Sequence, residues 1–207
     1  MSMNIKLLVL ALAAMTTTAL ANDLYMDQVG DGADIQITQD GTDNRIKGTG
    51  ATSTDPAILH GDGIVARITQ TGTSNTLNLY VDHPGAGINL TSSVDGSDNV
   101  QTINCGSAAG QCNATTLTQT IVGSSNIVTQ TIDGGTTSSV IDITGSYNTV
   151  THTAAGTGAH TASITSTASG VQGTPHTISL DQSGTSAKHA TITSSGNSNA
   201  VTIIQRD

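Results

Sequence analysis

The chain contains no phenylalanine, no tryptophan and no glutamate, and its aromatic rings other than histidine are Tyr25, Tyr80 and Tyr147. An ordinary globular core leans on bulky aromatics, because they bury the most area per residue. Their near-absence excludes a thick core and favours a thin one, in which each layer encloses little volume. Positive charge is equally scarce: six Lys and Arg stand against 15 acidic residues, all aspartate, for a net charge of −9. With no basic stripe to neutralise phosphates, nucleic-acid binding is not expected. Long apolar runs are missing too. The run from Leu7 to Ala14 is shorter than the roughly 20 residues of a spanning helix, so membrane insertion is not expected either.

That short run has a different reading. Lys6 precedes it and Ala19-Leu20-Ala21 follows as a small-x-small site, the pattern of a secretory leader. Residues 1–21 are therefore expected to be a Sec signal peptide, cleaved before Asn22. The remaining 207 − 21 = 186 residues form one domain, 22–207, that passes through the periplasm to the cell surface or beyond. Five basic residues (Arg45, Lys47, Arg67, Lys188, Arg206) then face all 15 aspartates, and their repulsion slows association of the secreted chains.

What is abundant is Thr, Ser, Gly, Asn and Asp. Such polarity suits disorder, but Ile, Val and Leu recur with a period of two, which a disordered chain has no reason to keep. The phrase Gln-x-Gly-x-x-Asn occurs at Gln39–Asn44 and at Gln70–Asn75. Looser versions follow at Ile143–Asn148 and Ser194–Asn199. Turn glycines fall at Gly41, Gly72, Gly96, Gly123, Gly145, Gly170 and Gly196, with gaps of 31, 24, 27, 22, 25 and 26 residues. A repeat of that period predicts a solenoid. The fold expected is all-β: a β-solenoid of about seven stacked strand–turn–strand repeats, amyloid-like in its cross-β stacking. Opposite turns are expected near Gly48–Gly63, Pro84-Gly85, Cys105–Cys112, Gly134-Gly135, Gly156–Gly158 and Gly184.

Each residue of the phrase has a structural job. A buried amide must be paired, and identical amides stacked about 4.8 Å apart can bond to one another as a ladder. Gly permits a positive φ in the turn, and Asn tolerates the left-handed region there. The ladder residues read this way are Gln39, Gln70, Gln119, Gln182 and Gln205; Gly41, Gly72, Gly96, Gly123, Gly145, Gly184 and Gly196; and Asn44, Asn75, Asn99, Asn126, Asn148 and Asn199. Outward threonines are expected in one column through Thr38, Thr69, Thr91, Thr118, Thr165 and Thr193. A second column on the return strands runs through Asn78, Thr102, Thr129, Thr151 and Thr202.

At these residues the chain resembles the curlin family, the curli fibre subunits of Gram-negative biofilms, whose repeat reads Gln-x-Gly-x-x-Asn-x-Ala-x-x-x-Gln. Ile37-Thr-Gln-Asp-Gly-Thr-Asp-Asn44 and Ile68-Thr-Gln-Thr-Gly-Thr-Ser-Asn75 carry its first half. Val201-Thr-Ile-Ile-Gln205 places a distal Gln six residues after Asn199. The family's small Ala is replaced by Leu77, Val128, Val150 or Val201. The resemblance implies a subunit exported by a curli-type outer-membrane channel, helped by a nucleator subunit. It would polymerise with itself into functional amyloid that supports biofilm and surface adhesion.

Other candidate sites are weaker. Cys105 and Cys112 in one counter-turn read as a disulfide staple of a secreted chain, against a free redox pair or a metal site. The Asp pairs 31/34, 40/43 and 95/98 are good turn formers as well as conceivable Ca²⁺ ligands. The six histidines, His60, His83, His152, His160, His176 and His189, are scattered over different repeats and are expected on surfaces or strand faces. No nucleophile elbow, phosphate loop or zinc signature appears, so neither an enzyme nor a cofactor is expected.

The expected function is therefore a secreted structural subunit that adds end to end. A first rung (residues 26–28 and 34–39) and a last (199–205) are expected to lie uncapped, with Gln28, Ile35, Ile37, Val201 and Ile203 as assembly edges. The alternative is a monomeric threonine-rich solenoid binding ice or a polysaccharide.

Overall fold

A computed structural model describes residues 8–11, 22–41, 43–47, 55–82, 87–96, 98–106, 112, 114–123, 125–133, 137–145, 148–156, 160–167, 176–185, 187–196 and 199–207. Among them there are only strands and their connections. One sheet runs, neighbour to neighbour, through β1 (Leu8–Ala11), β4 (Asp34–Asp40), β7 (Val65–Thr71), β9 (Asn89–Asp95), β11 (Thr115–Gly123), β13 (Thr137–Gly145), β15 (His160–Ser166) and β17 (Lys188–Ser194). The facing sheet runs through β2 (Asn22–Tyr25), β5 (Asn44–Lys47), β8 (Leu77–Asp82), β10 (Gln101–Cys105), β12 (Val128–Asp133), β14 (Thr149–Ala155), β16 (His176–Gln182) and β18 (Asn199–Gln205). Two further strands, β3 (Asp27–Val29) and β6 (Ala57–His60), extend its first rungs.

The chain alternates between the sheets, so every strand pairs in parallel with the strand one repeat away, as in β7 with β4 and β8 with β10. Seven strand pairs from β4 to β18 make a β-solenoid of about six turns. Alternation along each strand sorts side chains inward and outward: β4 buries Ala33, Ile35, Ile37 and Gln39 while Asp34, Gln36, Thr38 and Asp40 stay exposed. The apolar part of the interior is Ile, Leu, Val and Ala, set among buried Asn, Gln and His. This is the thin core that the missing aromatics required.

Three elements depart from the sequence expectation. The stretch 48–63 is not simply a counter-turn, because Ala57–His60 forms β6 and pairs with β3 and β8. The first rung is not built from residues 26–28 with 34–39, since β3 belongs one rung ahead of β4. And β4 is not a sheet edge in the full chain: Leu8–Ala11, from the segment read as a leader, pairs with Ile35–Thr38. A short apolar run fits a strand slot as readily as it suits a signal peptide. Ile35 and Ile37 are thus buried within a paired strand rather than at an edge. Gly170 and the turn assigned to it lie outside the described residues, as do His83, Pro84 and Gly85.

Candidate functional site

The repeat phrase assembles into columns of glycine, asparagine and glutamine that run for different lengths. Gly72 has φ +129°, and a Cβ on it would lie 1.4 Å from the Gly41 carbonyl oxygen; Gly123 meets Gly96 in the same way. Only glycine lets the turns stack this closely. Beside them runs the asparagine ladder. Asn75 Nδ2 donates to Asn44 Oδ1 at 2.7 Å, Asn99 to Asn75 at 2.5 Å, Asn126 to Asn99 at 2.6 Å and Asn148 to Asn126 at 2.5 Å. All five side chains are buried, and each amide from Asn75 onwards donates to the asparagine of the rung before.

The ladder stops after Asn148. The next position in the column is His176, and the one after it Asn199. Ser166 Oγ donates to Asn148 Oδ1 at 2.5 Å, while His176 Nδ1 meets Asn199 Oδ1 at 2.5 Å. Asn199 therefore stacks on a histidine rather than continuing the amide series.

The glutamine column is shorter still. Gln70 Nε2 donates to Gln39 Oε1 at 3.0 Å and to the Thr76 carbonyl at 3.0 Å, and Gln39 Nε2 to the Arg45 carbonyl at 2.8 Å. The same column then continues as Val94, Ile121, Ile143, Ser166 and Ser194. Gln119 does not belong to it. With Gly123 locked over Gly145, Gln119 falls one inward position away and pairs in register with Ser92 and Ile141. Gln182 and Gln205 lie on the return strands, where Gln182 Nε2 donates to Gln205 Oε1 at 3.0 Å. Gly184 follows β16 and stacks on Gly156, and Gly196 follows β17.

Gln119 instead joins a polar chain that crosses the interior between the two sheets. Gln101 Nε2 donates to Ser92 Oγ at 2.6 Å, Gln119 Nε2 to Gln101 Oε1 at 2.9 Å, and Gln130 Nε2 to Gln119 Oε1 at 3.3 Å. Ser139 Oγ donates to Gln130 Oε1, and His152 Nδ1 lies 2.8 Å from the same oxygen. Sequence reasoning missed this chain. Its members are spread over several columns of both sheets, and only the paired register brings them together.

It missed the histidines as well. His152, His160 and His176 are buried in the interior rather than lying on a surface, while His60 and His189 are exposed. Each occupies an inward position of its strand, which the alternation of β14, β15 and β16 would have revealed. Burial, and then the neighbouring His160, lower the His152 imidazole to about 4, because a charged ring there would lose its water.

Outside, the threonines stack in two adjacent columns rather than one. Thr38, Thr69, Ser93, Thr120, Asp142, Thr165 and Thr193 share a column, whereas Thr91 and Thr118 belong beside it with Gln36, Arg67, Val140, Ser163 and Thr191. On the other sheet Asn78, Thr102, Thr129, Thr151, Ser179 and Thr202 align. Cys105 and Cys112 are joined by a disulfide and both are buried. The aspartate turns are engaged locally: Asp34 binds Arg67 at 2.9 Å and Asp31 accepts the Asp62 amide at 2.9 Å. Among the described residues no three His, Cys, Asp or Glu side chains cluster to hold a metal.

The two ends differ. At the far end β17 and β18 have neighbours on one side only, and Val201, Ile203 and Ile204 are 45%, 50% and 38% exposed. Val201 and Ile203 cap columns whose other members, such as Ile178 and Leu180, are fully covered. At the near end β1 and β2–β3 are outermost, with Tyr25 and Val29 exposed and Gln28 half-buried. No family model, no curated protein and no solved structure matches the chain.

Proposed function

We propose that this chain is a structural subunit, resembling curlins, that stacks end to end into extracellular amyloid-like fibres of a biofilm matrix. One observation carries the reading: the far end leaves the outer side of a full strand pair without a neighbour, with Val201 and Ile203 as uncovered tops of apolar columns. Such an edge recruits another strand. A head-to-tail contact that continues the stack along its own axis has no rotation to close a ring and so yields a filament. Removal of residues 1–21 would add a second open edge at β4, because β1 is lost with them.

The partners on this reading are other copies of the chain, a nucleating subunit and an outer-membrane channel. The test is negative-stain microscopy of residues 22–207. Thin unbranched fibres are expected, and their loss in Ile203→Lys. A mature chain still monomeric after days at high concentration would sink the proposal.

The alternative reading has one observation in its favour. Thr91 with Ser93, Thr118 with Thr120, Ser163 with Thr165 and Thr191 with Thr193 form two adjacent outward columns, broken at Val140 and Asp142. A flat paired array of that kind suits ice or a polysaccharide. Thermal hysteresis by a non-assembling chain would transfer the assignment.

A further inference from the structure

The far end carries a feature that plain stacking does not use. The inward column Thr115, Thr137, His160 ends in Lys188, so a lysine points into the interior of the last rung, its side chain 7% exposed. Its Nζ is held by the Asp207 carboxylate. An inward-pointing charge on an edge strand deters the addition of another. The β17 half of the end is thus guarded while the β18 half is open.

Beneath this rung lie three buried imidazoles. His160 is paired in register with Lys188, and His176 is tied to Asn199 of β18. His152, one rung deeper on the facing sheet, is close enough to His160 for a charge on one to act on the other. Nε2 of His152 and Nε2 of His176 have no hydrogen-bond partner among the described residues. Among the described residues, the groups paired with or bonded to these rings are the cationic Lys188 beside His160 and the neutral Gln130, Thr137, Ser139, Asn148, Leu180 and Asn199. The charged groups described at this end are Lys188 with Asp207, and the exposed Arg206 with the half-buried Asp181.

We propose that the terminal rung, β17 with β18, is an acid-released lid, lifted when His152 and His160 beneath it are charged and so freed to pair with another copy. The inference rests on the assembly reading, and supplies its regulation. A proton on His160 sets a cation next to Lys188, where one carboxylate cannot serve both. Lifting the rung carries Lys188 away and admits water to the rings. The open form therefore binds more protons than the closed form, and acid favours it. Released, β17 and β18 offer two strands to a neighbour, and β15 and β16 accept two in return.

Hydrogen exchange of the dispersed monomer, corrected for intrinsic rates, tests this between pH 7.5 and 4.5. Protection of β17 and β18 is expected to fall about tenfold or more on acidification while β7 to β10 hold. In the double variant His152→Gln, His160→Thr the fall disappears; Gln130 and Thr137 already occupy those columns, so both side chains fit. In Asp207→Asn the fall persists. An equal fall in every strand, a fall retained in the double variant, or one abolished by Asp207→Asn each overturns the lid. Should the double variant not fold, an NMR titration of the wild-type rings decides: His152 and His160 must charge in step with loss of protection, and independent titration overturns it. Because the readout is monomeric, absent fibres would refute the assembly reading without touching this result.

Discussion

Gly123 sits over Gly96 so closely that a Cβ on it would lie 1.4 Å from the Gly96 carbonyl oxygen. Gly123→Ala must push two rungs apart in addition to straining a residue at φ +140°. A loss of more than about 2 kcal/mol is expected in chemical denaturation. Gly63→Ala is the control. Its Cβ meets nothing within 4 Å, at φ +65°, so only the conformational strain of about 1 kcal/mol remains.

Asn126 is bonded on both sides, to Asn99 and to Asn148. Asn126→Ala leaves a buried acceptor and a buried donor unmade, a loss of about 2–4 kcal/mol. Asn126→Asp is expected to be worse at neutral pH, because it faces a carboxylate towards the Asn99 carbonyl oxygen. Partial recovery at acidic pH, read from the denaturation midpoint, would separate charge from packing.

His152 gives the fold an acid slope. Its imidazole is lowered from 6.5 to about 4 by burial, with His160 adding to the effect. The unfolded chain therefore binds its proton first. The His152 contribution is complete above pH 6.5 and is lost as pH falls towards 4, reaching about 3 kcal/mol. Denaturation midpoints measured across that window should fall in the wild type and flatten in His152→Gln.

Reduction of the Cys105–Cys112 bond releases a short loop, with a sequence separation of 7. Loop-closure entropy for so small a ring is worth about 2–3 kcal/mol. A lower denaturation midpoint with an unchanged β-type circular dichroism spectrum is expected, since Cys105 stays paired with β8 and β12 and the Cys112 amide donates to the Asp133 carbonyl.

The stacking was legible in the sequence wherever glycine and asparagine recur, because close turn contacts admit few other residues. Gly41 to Gly145 and Asn44 to Asn148 line up as their spacing suggests. Gln119 was not legible. Two extra residues between it and Gly123 allow either a bulge or a shift of column, and only the paired register of β11 with β9 and β13 chooses the shift. The threonine columns were misjudged for the same reason, since a two-residue offset keeps the face but changes the column. The buried histidines were hidden by expectation of their polarity, although their alternation was on view.

Met26 joins two strands that the chain itself separates. It receives nothing from its own neighbours: its amide donates to the Lys47 carbonyl at 3.0 Å, and its carbonyl accepts from the Ile58 amide at 3.0 Å. Lys47 and Ala57 are thus brought side by side across a break in the sequence, and the sheet is sealed there from the rung before. Foreign sequence grafted between those residues would have a ready-made port, displayed at a fixed height on each copy and, along a filament, at a fixed repeat.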